Sequence, residues 1–298
     1  LSNNVVENRG QRYNDIKSGS ATESYLVSFF GRVNYSLLNR YLFTATVRQD
    51  GSSRFNKDNR WGLFPSVALG WKIKEEGFMK DVDAVSDLKL RLGYGITGQQ
   101  DISQGDYPYM ATYFAGQDGA YYQFGDQFVP IARPDGYNPN LKWEQSATAN
   151  LGVDFSFFNG RLNGTVEYYN THTKDLLVER SLNASLGYTT MLDNLGKTKS
   201  SGIDLSLNGD VIRTKEFTWS LGTNFSMYKN EIVRIDDTLD ENGKPASQVA
   251  QGWIIGEPIN VYYDYLVDGI FQYDDFDITR DGTGNLVYTL KNTYDSNN

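Results

Sequence analysis

The feature that most restricts this chain is a side-chain period of two, sustained over segment after segment, in a sequence with no window of about 18 consecutive apolar residues. The stretch beginning at Glu144, EQSATANLGVDFSFF, displays it. Ala147, Ala149, Leu151, Val153, Phe155 and Phe157 fall on one face of an extended strand, and Ser146, Thr148, Asn150, Gly152, Asp154 and Ser156 on the other. After the turn Phe158-Asn159-Gly160 the alternation resumes, with Leu162, Gly164, Val166 and Tyr168 against Asn163, Thr165 and Glu167, so the pair reads as a hairpin. The same pattern predicts strands over 24–36, 41–49, 62–73, 87–97, 201–209 and 217–230, with a further one over 261–271. An all-β class follows, and 21 Tyr, 16 Phe and 5 Trp against only 7 Pro agree with it.

Short and long connections alternate between these segments. Residues 37–40, 158–160 and 210–216 are short, 50–61 falls on the long side of the alternation, and 74–86 is the one intermediate case. Residues 98–143, 171–200 and 231–260 far exceed the roughly 12–15 residues above which structureless loops become uncommon in compact domains. The long ones leave the same side of the sheet. An antiparallel transmembrane β-barrel accounts for this, because such barrels have short periplasmic turns and long extracellular loops. Segments of about 9 to 14 residues also suffice to cross a bilayer as tilted strands. Periodicity alone fits two solvents: the apolar face turned to lipid with the polar face lining a lumen, or the apolar face as the core of a soluble sandwich. Aromatics near segment ends, among them Tyr25, Tyr41, Trp61, Trp71, Tyr168 and Trp219, resemble interfacial girdles and favour the membrane.

Other chemistry finds little support. A net charge of −9 without a basic cluster argues against nucleic acid as a partner. The absence of Cys removes disulfides and thiolate metal sites. GYGITG (93–98) matches a dinucleotide fingerprint but precedes no amphipathic helix, so its glycines read as closing a strand. His172, the only histidine, reads as an exposed loop residue and has no Cys or GxSxG to work with. DITRDGTGN (277–285) resembles a calcium loop with the wrong intervals and reads as a solvated acidic loop. No catalytic residue, metal ligand or cofactor is expected, and the chain is not read as an enzyme.

Two stretches remain. The 98–143 loop carries Tyr107, Tyr109, Tyr113, Phe114, Tyr121, Tyr122 and Phe124 amid Gly, Gln and Asp. Such rings cover apolar faces of a sugar or peptide while polar neighbours fix orientation; they serve equally to pack a long loop against itself. RQDGSSRF (48–55) follows a strand. There Asp50-Gly51 is expected to make the turn, the hydroxyls of Ser52 and Ser53 to satisfy its backbone, and Arg48 and Arg54 to pair with carboxylates ahead of Phe55.

NRYLFTATVRQDGSSRF (39–55), NRWGLFPSVALGWKIKEEGFM (59–79), DLKLRLGYGITGQQDI (87–102) and NPNLKWEQSATANLGVDF (138–155) resemble, in order and spacing, the SusC/RagA type of TonB-linked outer-membrane transporters of Bacteroidetes. LGKTKSSGIDLSLNG (195–209), FTWSLGTNFSMYKNEIV (217–233) and GEPINVYYDYLVDGIFQ (256–272) continue the resemblance over nearly the whole chain. It implies a roughly 22-stranded barrel with a plugged lumen, of which residues 1–298 would be part of the wall. Plug, TonB-contacting segment and terminal strand are expected outside this chain, because LKNTYDSNN is no barrel end and LSNNVVENRGQRYND no signal peptide. The resemblance further implies nutrient import, of oligosaccharides or oligopeptides, with a SusD-like surface lipoprotein as lid and TonB as energy source. The setting would be the lipid and lipopolysaccharide of a bacterial outer membrane, and Tyr107, Tyr109, Tyr113, Tyr121 and Tyr122 would contact substrate. Rival readings are a non-transporting surface barrel or adhesin, and a soluble β-rich glycan-binding protein.

Overall fold

The computed structural model describes residues 23–102, 105–114, 121–130, 133–183, 185, 187–259, 261, 262, 264 and 270–291. They gather into two units, one ending at Val261 and one beginning at Tyr262. In the first, four strands open the chain: β1 (Leu26–Leu37), β2 (Tyr41–Ser52), β3 (Trp61–Lys72) and β4 (Val85–Gln99). Four short ones follow within the 98–143 stretch: β5 (Tyr113–Phe114), β6 (Tyr121–Phe124), β7 (Gln127–Pro130) and β8 (Arg133–Pro134). Four long ones complete it: β9 (Glu144–Phe157), β10 (Leu162–Ser181), β11 (Thr190–Arg213) and β12 (Thr218–Arg234). The second unit holds a hairpin of β13 (Phe276–Arg280) and β14 (Leu286–Leu290).

The long strands form one antiparallel sheet in the order β1-β2-β3-β4-β9-β10-β11-β12, a meander in which each strand pairs with the next long one in sequence. Its register aligns one apolar residue from every strand: Tyr35, Phe43, Leu69, Leu92, Leu151, Tyr168, Ile203 and Met227 are successive cross-strand partners. All of them are exposed, from 38 % at Phe43 to 59 % at Met227. No second sheet covers this row among the described residues. Burying a side chain of this size is worth about 1.5–3 kcal/mol, so leaving such a row in water would forgo on the order of 10 kcal/mol. A soluble sandwich would bury it, whereas hydrocarbon accepts it as it stands.

One residue along, the opposite face carries Asn34, Thr44, Ala68, Gly93, Asn150, Tyr169, Gly202 and Tyr228. Below them sits an ion-pair network. The Arg91 guanidinium grips Asp154 with two hydrogen bonds of 2.9 and 3.0 Å and donates a third, of 3.1 Å, to Glu167. Glu167 also accepts from Asn150 at 3.0 Å, and Asp154 from Thr165 at 3.2 Å. Gly93 lies within GYGITG, which is plain β4 strand: a Cβ there would stand 2.1 Å from Asn150 Oδ1, so the glycine makes room for this network.

Several expectations need correction. The 171–200 stretch is not a loop: β10 runs on to Ser181 and β11 starts at Thr190, leaving 182–189 as the connection. These strands of 20 and 24 residues exceed the roughly 9–11 needed to cross a bilayer, so their outer halves stand beyond it. His172 consequently lies inside β10, opposite Ala147 and Lys199, and is exposed. β12 likewise continues to Arg234. The stretch read as an acidic loop near 277–285 is the β13–β14 hairpin. The strand expected over 261–271 falls largely outside the described residues.

Replacing Leu151 by Arg is expected to destabilise the inserted wall by about 2–4 kcal/mol, whereas Ser206→Arg on the opposite face stays within about 1 kcal/mol of the parent. Denaturant unfolding of the intact protein from bilayers measures both, and equal losses at the two positions would contradict the assignment of faces.

Candidate functional site

The RQDGSSRF stretch sits at the long-loop end of β2. Asp50 and Gly51 are not a turn but the last part of the strand, paired with Ser28 and Val27 on one side and with Gly62 and Trp61 on the other. What the glycine supplies is space, because the Trp61 ring lies across it and a Cβ would come within 2.7 Å of that ring. The turn begins after Ser52. There Ser53 Oγ accepts the Tyr25 N–H at 3.0 Å and Ser52 Oγ accepts the Arg54 N–H at 3.2 Å, so both hydroxyls satisfy backbone donors. Both arginines find carboxylates: Arg48 Nε donates to Asp50 at 2.7 Å, and Arg54 reaches Asp101 and Asp106, each at 3.1 Å.

Phe55, fully buried, anchors an apolar cluster with Phe64, Ile102, Leu141, Trp143 and Leu192. Its ring lies 5.4 Å from that of Trp143, which meets Phe64 edge-on at 5.3 Å and donates its indole N–H to Arg60 O at 2.9 Å. One knot thereby joins the β2–β3 turn, the end of the 98–143 stretch and the outer end of β11.

Polar contacts fasten the same elements. Asn138 Nδ2 donates to Leu192 O at 3.1 Å, and its Oδ1 accepts the Asn140 N–H at 2.9 Å. Asn194 exchanges two bonds of 2.9 Å with the backbone of Lys142. Asp175, with φ of 59°, is the extra residue of a bulge in β10, and a second irregularity one pair later, which skips Leu195 on β11, restores the register. Its carboxylate takes the Lys142 ammonium at 3.1 Å and its carbonyl the Asn194 amide at 2.8 Å. These clamp residues were absent from the expected site. NPNLKWE carried part of the signal, but the bulge that aims Asp175 at Lys142 leaves no mark in a local pattern.

The five expected tyrosines have different surroundings where their side chains are described. Tyr107 is engaged at its hydroxyl, which accepts the Glu23 N–H at 3.1 Å and donates to Glu23 O at 2.9 Å. Tyr109 is half-buried. Tyr113 pairs through its backbone with Pro134, and its side chain lies outside the described residues. Tyr121 and Tyr122 are adjacent in β6, hence on opposite faces of the β6–β7 hairpin. Tyr122 packs on Phe124 at 4.6 Å, while Phe128, unforeseen in the sequence, shares the face of Tyr121 and Gln123. All four rings of this hairpin are exposed, making a free aromatic surface on the long-loop side.

The second unit shows what the DITRDGTGN carboxylate does. Asp281 accepts from Thr283 Oγ1 at 2.7 Å and from the Thr283 and Asn285 N–H groups, each at 2.9 Å, closing the β13–β14 turn. These bonds, led by the Thr283 hydroxyl, hold its carboxyl at about 2.

Residues 2–298 match a family profile described as "TonB dependent receptor-like, beta-barrel". A protein described as "TonB-dependent receptor SusC", from Bacteroides thetaiotaomicron, is 48 % identical over 255 residues, covering 82 % of this chain and 25 % of that protein. A TonB-dependent receptor of Formosa agariphila is 37 % identical over 284 residues, 94 % of this chain and 25 % of its own length. A solved structure of "the RagAB peptide importer in the 'closed-closed' state" superposes with a TM-score of 0.73 at 28 % identity, covering 97 % of this chain and 32 % of that one. The chain thus spans about a quarter of the length of the curated relatives it matches.

Truncating Phe55 to Ala is expected to cost about 3–5 kcal/mol locally. Hydrogen exchange should then rise at 53–60 and 138–143 and stay unchanged in the lower halves of β9–β12; uniform protection everywhere would show that the knot is not a stabilising unit. A second outcome concerns Asp281. Because its folded-state value is depressed below 3.8, its contribution to the turn is full above that value and lost as pH falls through about 2. An NMR titration of the Asp281 carboxyl should show a midpoint near 2, and a midpoint near 4 would contradict the turn.

Proposed function

The chain belongs to the TonB-dependent receptor β-barrel family of the bacterial outer membrane, and from that membership we propose that it forms part of the wall and outer loops of an energy-coupled nutrient importer. All of residues 1–298 are assigned to that wall, with the lumen-filling plug and the TonB contact assigned to parts of the full-length protein beyond these residues. The observation that carries the reading is the eight-strand row of bare apolar side chains backed by a hydrogen-bonded polar face. That arrangement suits hydrocarbon on one side and an aqueous, polar interior on the other.

The long-loop end supplies the means of capture. The Phe55–Trp143 knot and the Asp175–Lys142 clamp hold the roots of the long excursion still, while the β6–β7 hairpin presents rings of both faces to solvent. Flat aromatic surfaces beside amide and carboxylate groups fit oligosaccharides and oligopeptides, whose apolar faces and polar edges alternate. Tyr109, Tyr113, Tyr121 and Tyr122 are the proposed substrate contacts, and Tyr107 holds their loop through Glu23. A SusD-like lipoprotein serves as the lid over this end, and likeness to a RagAB peptide importer supports a two-component assembly.

Changing Tyr109, Tyr121 and Tyr122 together to Ala is expected to weaken substrate capture about tenfold or more, taking about 0.5–1.5 kcal/mol per ring. Uptake by cells carrying the variant, with its outer-membrane level quantified alongside, tests this. Unchanged uptake at an unchanged level would remove these rings from the site, and uptake that persists without TonB would remove the energy coupling.

A further inference from the structure

Each of the four connections on the turn edge of the sheet bears a large apolar side chain that is mostly exposed: Leu38 is 69 % exposed, Phe78 68 %, Phe158, whose ring lies 6.2 Å from that of Phe157, 58 %, and Phe217 58 %. Aqueous turns ordinarily carry Gly, Asn, Asp, Ser or Pro at such places. Two of the four also resist their own backbone, since Leu38 and Phe158 hold φ values of 54° and 55°, left-handed conformations that disfavour bulky side chains. An Asn at either position would suit both water and the backbone better. The surroundings of these tips therefore reward apolar surface.

The longest of the connections, 73–84, shows which side of the wall it lies on. Tyr41 and Trp71 are cross-strand partners on the apolar face. Both donate to the Glu76 carboxylate, Tyr41 Oη at 2.6 Å and Trp71 Nε1 at 3.0 Å, with Arg40 adding a bond of 3.1 Å. The segment is thus folded back over the lipid-facing side rather than toward the lumen. Lys74 stiffens it, donating to Met79 O at 3.0 Å and Val82 O at 2.8 Å, and Phe78 is carried outward on this braced turn.

Depth agrees. Ten residue steps separate Val27 from Leu37 on the apolar face of β1. At about 3.3 Å per residue and a tilt of about 40°, they rise about 25 Å, the height of the apolar band of an outer-membrane barrel. Leu38 and its counterparts then sit at the lower margin of that band, within the lipid interface.

We propose that the turn edge of the wall is seated in the inner leaflet, with Leu38, Phe78, Phe158 and Phe217 inserted among phospholipid glycerol and upper acyl groups and Glu76 tethering the 73–84 segment against the lipid. The inference rests on the membrane placement of the wall. Continuity with the apolar belt identifies phospholipid, rather than a protein partner, as what covers these residues.

Residues 1–298 contain no Cys, so once any Cys elsewhere in the intact protein is replaced, single nitroxide labels can be placed in it, reconstituted in phosphatidylethanolamine–phosphatidylglycerol vesicles. Labels at Phe78→Cys and Phe217→Cys should collide several times more often with oxygen, relative to a water-soluble nickel chelate, than a label at Asp83→Cys, and approach Val33→Cys in the middle of the belt. Adding Glu76→Ala should lower the ratio at 78 and leave 217 unchanged; an unchanged ratio at 78 would overturn the tether. Labels at 78 and 217 in water, with 33 in lipid, would overturn the inference alone, as would labels shielded from both probes, which would indicate a protein cover. A label at 33 in water would overturn the membrane placement itself.

Discussion

Everything in this wall depends on the rule that a backbone N–H or C=O in hydrocarbon must find its partner in the protein, because no water is there to supply one. The meander meets it by pairing each long strand with its neighbours from β1 to β12, without a break. Side chains are then forced to alternate between two solvents, and the bare row from Tyr35 to Met227 is the direct consequence. The same rule makes β1 and β12, each paired on one side only among the described residues, edges that call for further strands.

The polar face meets a different demand. Charges there are arranged in mutually satisfied groups: Arg91 forks onto Asp154 and reaches Glu167, while Arg48 serves Asp50 and Ser28. Glycine is placed where those groups need room, as at Gly93 beside Asn150. Toward the long-loop end water returns and the packing logic changes. Here the chain builds a small conventional core around Phe55, Leu141 and Trp143, the part of the molecule most like a soluble protein. The roots of the long loops are thereby held by protein packing rather than by lipid.

A bulge does the aiming. The extra residue Asp175 on β10 is offset one pair later by Leu195 on β11, so the register resumes beyond them, and this paired irregularity brings the Asp175 carboxylate to Lys142 and its carbonyl to Asn194.

Much of this was legible in the residues. Period two marked all eight long strands, because lipid and water on opposite faces leave an alternation that no local competition erases, and the spread of loop lengths separated the two ends of the wall. Ends of strands were less legible: TKDLLVERS (173–181) breaks the apolar–polar alternation once β10 leaves the membrane, although its ladder with β11 continues. Gly51 looked like a turn residue since Asp-Gly usually is one, and only the Trp61 ring across the strand reveals it as a spacer. The aromatic loop gave its ring types but not their grouping, which depends on hairpin faces. What the chain settles alone is the solvent preference of each side chain in turn. Which residues then meet, as Phe55 meets Trp143 and Asp175 meets Lys142, is decided by registers and bulges that sum over distant strands, and only the folded sheet carries out that sum.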